Sequence, residues 1–276
     1  MGRTVHFSKM SGAGNDFVVI DNRERVVPEP ATVFAARVCA RQAAIGADGL
    51  LLLEKSERKD FRMRYFNTDG SEAEMCGNGG RCIARFAALV GVAGRAMEFE
   101  NLAGDFRAAL IEGQRVRLEM TQPHALRLGV EVETSRGRQR VDCLDTGVPH
   151  ILVPWSDLEG APVRELGREL RYHPAFAPKG TNVNFVRASG PHDIEVRTYE
   201  RGVEDETLAC GTGSVASAIL MALRGEVGPP VRVKVRSGST LVVPFRLEGQ
   251  EARDVALEGE AVVLFEGELN LEAFGY

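Results

Sequence analysis

Two cysteines in this chain, Cys76 and Cys210, each stand directly before a Gly-x-Gly step that opens an alanine-rich segment: "EMCGNGGRCIARFAAL" from Glu74 and "LACGTGSVASA" from Leu208. A helix starting at such a step leaves its first N–H groups unpaired, and its dipole makes that end locally positive. Glycines let a ligand approach the backbone, so either start can cradle a carboxylate or phosphate. The same field favours a thiolate, lowering a pKa that begins near 8.5. Two such starts gripping one carboxylate would place a sulfur on each face of its α-carbon. One thiolate then removes the α-proton while the other thiol delivers a proton from the opposite side, inverting the centre. Thiols suit both roles because each carries one proton and titrates near working pH, and the pair would share coupled pKa values.

The chain around the cysteines is duplicated. Cys76 and Cys210 are 134 residues apart, close to half of the 276-residue length. With that offset Tyr65 falls on Tyr199, Ala84 and Ala88 on Ala218 and Ala222, and Leu89 on Leu223. "GAGNDFVVID" and "GTNVNFVRA" add a Gly/Asn turn running into a Phe-Val strand in each half. A single Cys before glycines is compatible with a small buried residue in a turn. A matched pair requires a common explanation.

The elements that carry these residues are mostly strands. "DFVVID", "FRMRYF", "RVRLEM", "HILVPW", "NVNFVRA", "IEVRTYE", "VRVKVR" and "STLVVPF" are short, rich in β-branched or aromatic residues and bounded by turn formers. Helices are expected in "PATVFAARVCARQAA", after Cys76 to about Val90, in "VRELGRELRY", and after Gly211 to about Arg224. The two that follow the cysteines are apolar on nearly every side, which places them inside protein. The expected fold is α+β: two pseudo-symmetric halves, each a curved, mostly antiparallel sheet or barrel wrapped around a central helix, with the active site in the cleft between them. "TQPHALRLG" reads as a boundary, giving an N-terminal half 1–121, to which 266–276 returns, and a C-terminal half 122–265.

Composition narrows the functional classes. An apolar content of 44% supports one or two ordinary cores. No run reaches a membrane span and the N-terminus has no secretory pattern, so a cytoplasmic address is expected. With net charge −5 and pI near 5.7, scattered Lys and Arg form no footprint for nucleic acid or membrane. Five cysteines without a CxxC pair, and five histidines without a cluster, support neither a disulfide framework nor a metal site. Cys39, Cys82 and Cys143 lack the motif and read as core.

Other chemistries fit less of the pattern. Gly211, Gly213 and Ala216 satisfy a dinucleotide fingerprint, but a polar acidic stretch precedes them instead of a buried strand. Pyridoxal phosphate requires a lysine, and neither motif has one nearby. A thiol protease or transferase could pair one Cys with His150, leaving the second copy unexplained.

Taken together, "KMSGAGNDFVVID", "YFNTDGSEAEMCGNGGRCIARF", "TGVPH", "GTNVNFV" and "YERGVEDETLACGTGS" closely resemble the diaminopimelate epimerases over nearly the whole chain. The resemblance implies cofactor-independent interconversion of LL- and meso-2,6-diaminopimelate in lysine biosynthesis, a small-molecule substrate and a homodimer as the assembly to expect. It further implies that Cys76 and Cys210 are the acid–base pair, and that Gly77, Asn78, Gly211 and Thr212 present N–H groups to the reacting carboxylate. Asn15, Asn67, Asn182, Glu200 and Arg201 match substrate-binding positions, with Arg201 suited to the distal carboxylate and Glu200 and the amides to ammonium groups. His150 matches a histidine near the second thiol and would tune it. Val148 and Gly49 depart from Asn and Gln of some members, which touches distal recognition and not the thiols. The alternatives are a proline or hydroxyproline racemase-like isomerase, and a non-catalytic thiol redox or anion-binding protein.

Overall fold

The apolar run "GLLLLE" at Gly49–Glu54 can be a strand only if both its faces are covered. In the computed structural model, which describes residues 3–73 and 75–276, Leu50 to Leu53 are all fully buried in the first of two units.

The first unit comprises the described residues up to Leu118 together with Gly259–Tyr276. Its strands are β1 (Thr4–Gly12), β2 (Asn15–Asp21), β3 (Gly49–Glu54), β4 (Phe61–Asn67), β5 (Glu72–Ala73), β6 (Ala96–Asn101), β7 (Gly104–Leu110) and β8 (Arg115–Glu119); its helices are α1 (Ala31–Val38) and α2 (Gly77–Leu89). β1–β2, β3–β4, β6–β7 and β7–β8 pair antiparallel, whereas β2–β3 and β4–β6 pair parallel. A parallel neighbour needs a long crossover, usually a helix. α1 supplies the first and α2 the second. α2 packs on β1, β2, β3, β4 and β7, while α1 meets β3 and β4. Leu50, Leu52, Phe66, Phe34 and Val38 share one core with α1.

The second unit, Glu119–Glu258, repeats the plan. It holds β9 (His124–Thr134), β10 (Gly137–Asp145), β11 (Pro149–Pro154), β12 (Asn182–Gly190), β13 (Asp193–Glu200), β14 (Asp205–Thr207), β15 (Val231–Lys234) and β16 (Thr240–Val243), with α3 (Val163–Arg171) and α4 (Gly211–Leu223). β10–β11, β12–β13 and β15–β16 are antiparallel; β11–β12 and β13–β15 are parallel, crossed by α3 and α4. α4 packs on β10, β11, β12, β13, β15 and β16, and every residue of it except Thr212 and Leu223 is buried. Val163, Leu166 and Leu170 of α3 join Val183, Phe185 and Tyr199 in a second core. Gly167 lies inside α3 because a Cβ there would come within 2.6 Å of the Tyr199 Cβ. A small hairpin, β17 (Arg246–Glu248) and β18 (Glu251–Arg253), leads to β19 (Ala256–Glu260); β20 (Val262–Asn270) then pairs antiparallel with β1. No helix among the described residues is long and apolar enough to cross a membrane.

The α+β fold with a central helix in each half thus stands as expected, antiparallel neighbours predominating. One helix is shorter than its pattern: "PATVFAARVCARQAA" is helical only through Val38. Its last carbonyls are taken by Gly46 and Ala47 N–H groups, and Gln42 adopts a positive φ of 72°. The turn carries Arg41 to the carboxylates of Asp16 and Asp48, at 2.6 and 2.8 Å. That tertiary contact outweighs local propensity.

The central helices should be much less tolerant inside than at their ends. Ile83→Ala, at a fully buried position of α2, is expected to destabilise by about 3 kcal/mol. Leu89→Ala, 58% exposed on the same helix, should stay within about 0.5 kcal/mol in urea unfolding.

Candidate active site

Both cysteines occupy the N-cap of a helix with the same backbone conformation, and of the two only Cys210 also caps with its side chain, accepting from the Gly213 N–H. Cys76 (φ −127°, ψ 121°) and Cys210 (φ −117°, ψ 112°) are the extended residues immediately before α2 and α4, each thirteen residues long. Extended backbone at the cap is what lets the following N–H groups face outward along the helix axis. Gly77, Asn78 and Gly211 are buried there, and Thr212 is partly exposed. Cys210 is buried and Cys76 half-buried.

In the first unit, the turn Gly12-Ala13-Gly14-Asn15 joins β1 to β2, with φ of 56° at Ala13 and 105° at Gly14. Successive positive φ values match the twist of a two-residue hairpin and deliver Asn15 at the start of β2. Gly12 is needed because the Asn78 carbonyl lies 3.0 Å from where its Cβ would be. Asn78 Nδ2 donates to Asn15 Oδ1 at 2.6 Å, and Asn15 Nδ2 donates to Asp48 at 2.9 Å. Behind them the buried Lys9 pairs with Asp16 at 2.7 Å and also donates to the Gly46 carbonyl. Burial would raise the Asp16 carboxyl, but hydrogen bonds and charges from Arg41 and Lys9 outweigh it and hold the group below its ordinary value. Asn67, at the end of β4, donates to Ser71 Oγ at 3.0 Å in the turn that leads to β5. At Gly49 the space for a side chain is occupied: an added Cβ would lie 2.6 Å from the Tyr65 ring and 2.7 Å from the Phe66 carbonyl.

The second unit surrounds its cysteine differently. Gly213 N–H donates to Cys210 Sγ at 3.4 Å, and Thr212 Oγ1 lies 3.5 Å from the same sulfur. His150 Nε2 is 3.0 Å from Thr212 Oγ1, and His150 Nδ1 is 3.2 Å from Asn184 Nδ2. The amide of Asn184 is oriented by Thr198, whose hydroxyl donates to Oδ1 at 2.9 Å, and by its own Nδ2 donating to the Ile151 carbonyl at 3.0 Å. Nδ1 of His150 therefore accepts and Nε2–H donates to Thr212, whose own proton is left to point at Cys210. A thiolate at Cys210 would thus receive one N–H and one O–H. Burial, with a smaller effect from the Arg201 charge, pulls His150 down to about 3, so the ring is neutral at working pH. Gly213 is obligatory in this packing, since an added Cβ would meet Asn184 Oδ1 at 2.5 Å.

Asn182 donates from Nδ2 to the Pro149 carbonyl at 3.0 Å and accepts the Arg201 N–H at 2.8 Å. It shapes the strand end that presents Glu200 and Arg201. Glu200 accepts the Thr207 hydroxyl at 2.8 Å, and Arg201 Nη1 donates to the Lys179 carbonyl at 3.3 Å.

Within the first unit the structure brings Asn15, Asn78, Gly77 and Cys76 together, with Asn67 at the end of β4. Within the second it joins Cys210, Gly211, Thr212 and His150, while Asn182, Glu200 and Arg201 gather at the ends of β12 and β13. His150 meets the hydroxyl of Thr212, which links it to Cys210. Sequence reasoning missed Asp48, Arg81, Thr198 and Asn184. Asn184 had a readable signal: it is two residues after Asn182, hence on the same strand face. Cys39 and Cys82 are pushed up to about 12 by burial, and burial also raises Cys143, as inert core thiols require. Among the described residues no group of three His, Cys, Asp or Glu side chains could hold a metal ion.

Because the unfolded imidazole takes a proton near 6.5 and the native one only near 3, the unfolded state binds the extra proton between those values. Stability should be fully present above about pH 6.5 and fall as pH drops towards 3. Urea unfolding over this range is expected to show the decline, and His150→Gln should flatten it.

The family profile described as diaminopimelate epimerase matches residues 7–126 and 143–263. The diaminopimelate epimerase of Aquifex aeolicus is 43% identical over 284 residues, covering 99% of this chain and 100% of that protein. The one from Archaeoglobus fulgidus is 41% identical over 286 residues, covering 99% of each. Among solved structures, a phenazine biosynthesis protein of the PhzF family from Bacillus anthracis superposes with a TM-score of 0.75 at 16% identity, covering 96% of this chain and 99% of that one. A probable proline racemase from Agrobacterium radiobacter does so at 0.71 and 18%, covering 98% and 94%. At such identities the two structures speak for the fold alone.

Proposed function

This chain belongs to the diaminopimelate epimerase family, and we propose that it interconverts LL-2,6-diaminopimelate and meso-2,6-diaminopimelate in lysine biosynthesis, with Cys76 and Cys210 as the acid–base pair. The observation that carries the reading is the repeated Cys-capped central helix, one in each unit of the same strand order. Epimerisation at an α-carbon needs a base on one face and an acid on the other. The duplication provides one sulfur per unit.

In the forward step one thiolate takes the α-proton, and the electron pair left on carbon delocalises into the carboxylate. The N–H groups of Gly77, Asn78, Gly211 and Thr212 are the donors suited to the charge that grows on its oxygens, because helix N-termini are fixed and need no reorganisation. The opposing thiol then gives its proton to carbon. The sulfurs end with exchanged protonation states, so the enzyme is poised for the reverse reaction.

Donors around Cys210 favour its thiolate, through the Gly213 N–H and the hydroxyl that His150 orients. A neutral His150 suits this role better than an imidazolium, which could pass its proton through Thr212 to the thiolate and quench it. At the distal end, Arg201 would fork onto the second carboxylate, with Glu200, Asn15 and Asn67 on the ammonium groups. Asn182 is committed to Pro149 and Arg201 N–H, so its contribution is largely to place Arg201.

Proton NMR in heavy water with reductant tests the proposal. LL-diaminopimelate should exchange its α-proton and form the meso isomer without added cofactor, whereas proline should not exchange. Cys76→Ala and Cys210→Ala should each lower kcat by at least about 1000-fold. Exchange of proline instead would transfer the site to the racemase-like reading. Equal, substantial activity in both variants would remove the thiols from the chemistry.

A further inference from the structure

The mechanism leaves one fully buried charge unused. Arg81 lies on α2, five residues beyond Cys76, and its side chain is completely shielded from solvent. Among the described residues it meets no carboxylate. Nη2 donates to Asn78 Oδ1 at 2.8 Å, Nη1 donates to the Gly77 carbonyl at 3.2 Å, and Nε has no partner. A buried guanidinium without a counter-ion is costly, and arginine does not escape the cost by losing its proton.

The titratable groups that act on Arg81 are Cys82 and Cys76. Cys82 is fully buried, pushed up to about 12, and also faces Arg85; it remains a thiol. Cys76, half-buried, caps the same helix, and Arg81 Nη1 donates to the carbonyl of Gly77, the residue that directly follows it. The strands packed on α2 bring Lys9 on β1 and Asp16 on β2, with Asp48 just before β3 and Arg41 beyond α1. These four satisfy one another and reach Arg81 only through amides.

We propose that Arg81 is a positioning residue for the epimerisation assigned above: it is the resident counter-charge of the Cys76 thiolate and the donor that fixes the amides of Asn78 and Asn15. The second role follows from the ends of the hydrogen-bonded chain. Arg81 can only donate, so Asn78 must turn Oδ1 towards it and Nδ2 towards Asn15. The carboxylate of Asp48, paired with Arg41, has only acceptors to offer, so Asn15 must turn Nδ2 towards it. Neither amide can flip while both ends are in place. The N-terminus of α2 therefore presents a ligand with a single pattern of donors and acceptors, held from beneath by a cation.

The inference rests on the proposed function for its kinetic consequence and is independent of it for its electrostatic one. Arg81→Met removes the charge at similar volume; Arg81→Lys keeps a cation and loses the fork. Iodoacetamide alkylation of Cys76 as a function of pH, read by peptide mass spectrometry with Cys210 in the same samples as reference, follows the thiolate without turnover. In Arg81→Met the Cys76 midpoint should rise, and by more than that of Cys210, while kcat/KM for LL-diaminopimelate falls about 100-fold. Arg81→Lys should restore most of the Cys76 midpoint yet retain a raised KM. A folded Arg81→Met protein with a wild-type Cys76 midpoint would overturn the counter-charge. Wild-type KM in Arg81→Lys would overturn the amide role, and that variant decides the matter if Arg81→Met does not fold, since a Cys76 midpoint raised despite the retained cation also contradicts the proposal. A wild-type enzyme inactive on diaminopimelate, with the Cys76 midpoint still raised in Arg81→Met, would sink the assigned reaction and leave the role of Arg81 standing.

Discussion

A helix that begins inside a protein has to find partners for its first N–H groups, and in this chain that requirement organises everything near the two cysteines. α2 and α4 are the buried crossovers of parallel strand pairs, so their N-termini emerge at the ends of the strands they connect. Glycine at the first turn keeps those N–H groups approachable. On the proposed reading a substrate carboxylate is the partner suited to them, which would make substrate binding and helix termination one problem with one solution.

The two units solve the supporting problem with different chemistry. Beneath Cys76 lie amides strung between a buried guanidinium and a carboxylate. Beside Cys210 lie a neutral imidazole, two hydroxyls and an amide, with no formal charge among them. Duplication preserved the strand order and the capped helix while the surrounding polar side chains diverged. On the proposed two-thiol reading the thiols would stay alike and the surroundings differ, because the two faces of a reacting carbon are not equivalent.

The glycines show how closely packing and chemistry are tied. Gly213 leaves room for the amide oxygen of Asn184, which a Cβ there would meet at 2.5 Å, and Gly12 lets the first hairpin lie against the carbonyl of Asn78. At Gly49 the reverse has happened: the ring of Tyr65 occupies the room that a longer side chain would use. Each is a case in which a backbone contact decides what side-chain chemistry is available.

The cysteine pair, its glycines and the duplication were legible in the sequence because they are local patterns repeated at a fixed offset. The buried strands and apolar central helices were legible for the same reason, since burial on every side leaves a continuous apolar run. Which neighbours run parallel was not, because the period of two is identical in parallel and antiparallel ladders. Nor was the early end of α1, where Arg41 leaves the helical path for carboxylates on other elements. The role of Asn184 and the counter-charge at Arg81 also waited for tertiary structure. Both depend on which polar atoms share a buried space, and that is set by the packing of strands and helices far apart in the chain.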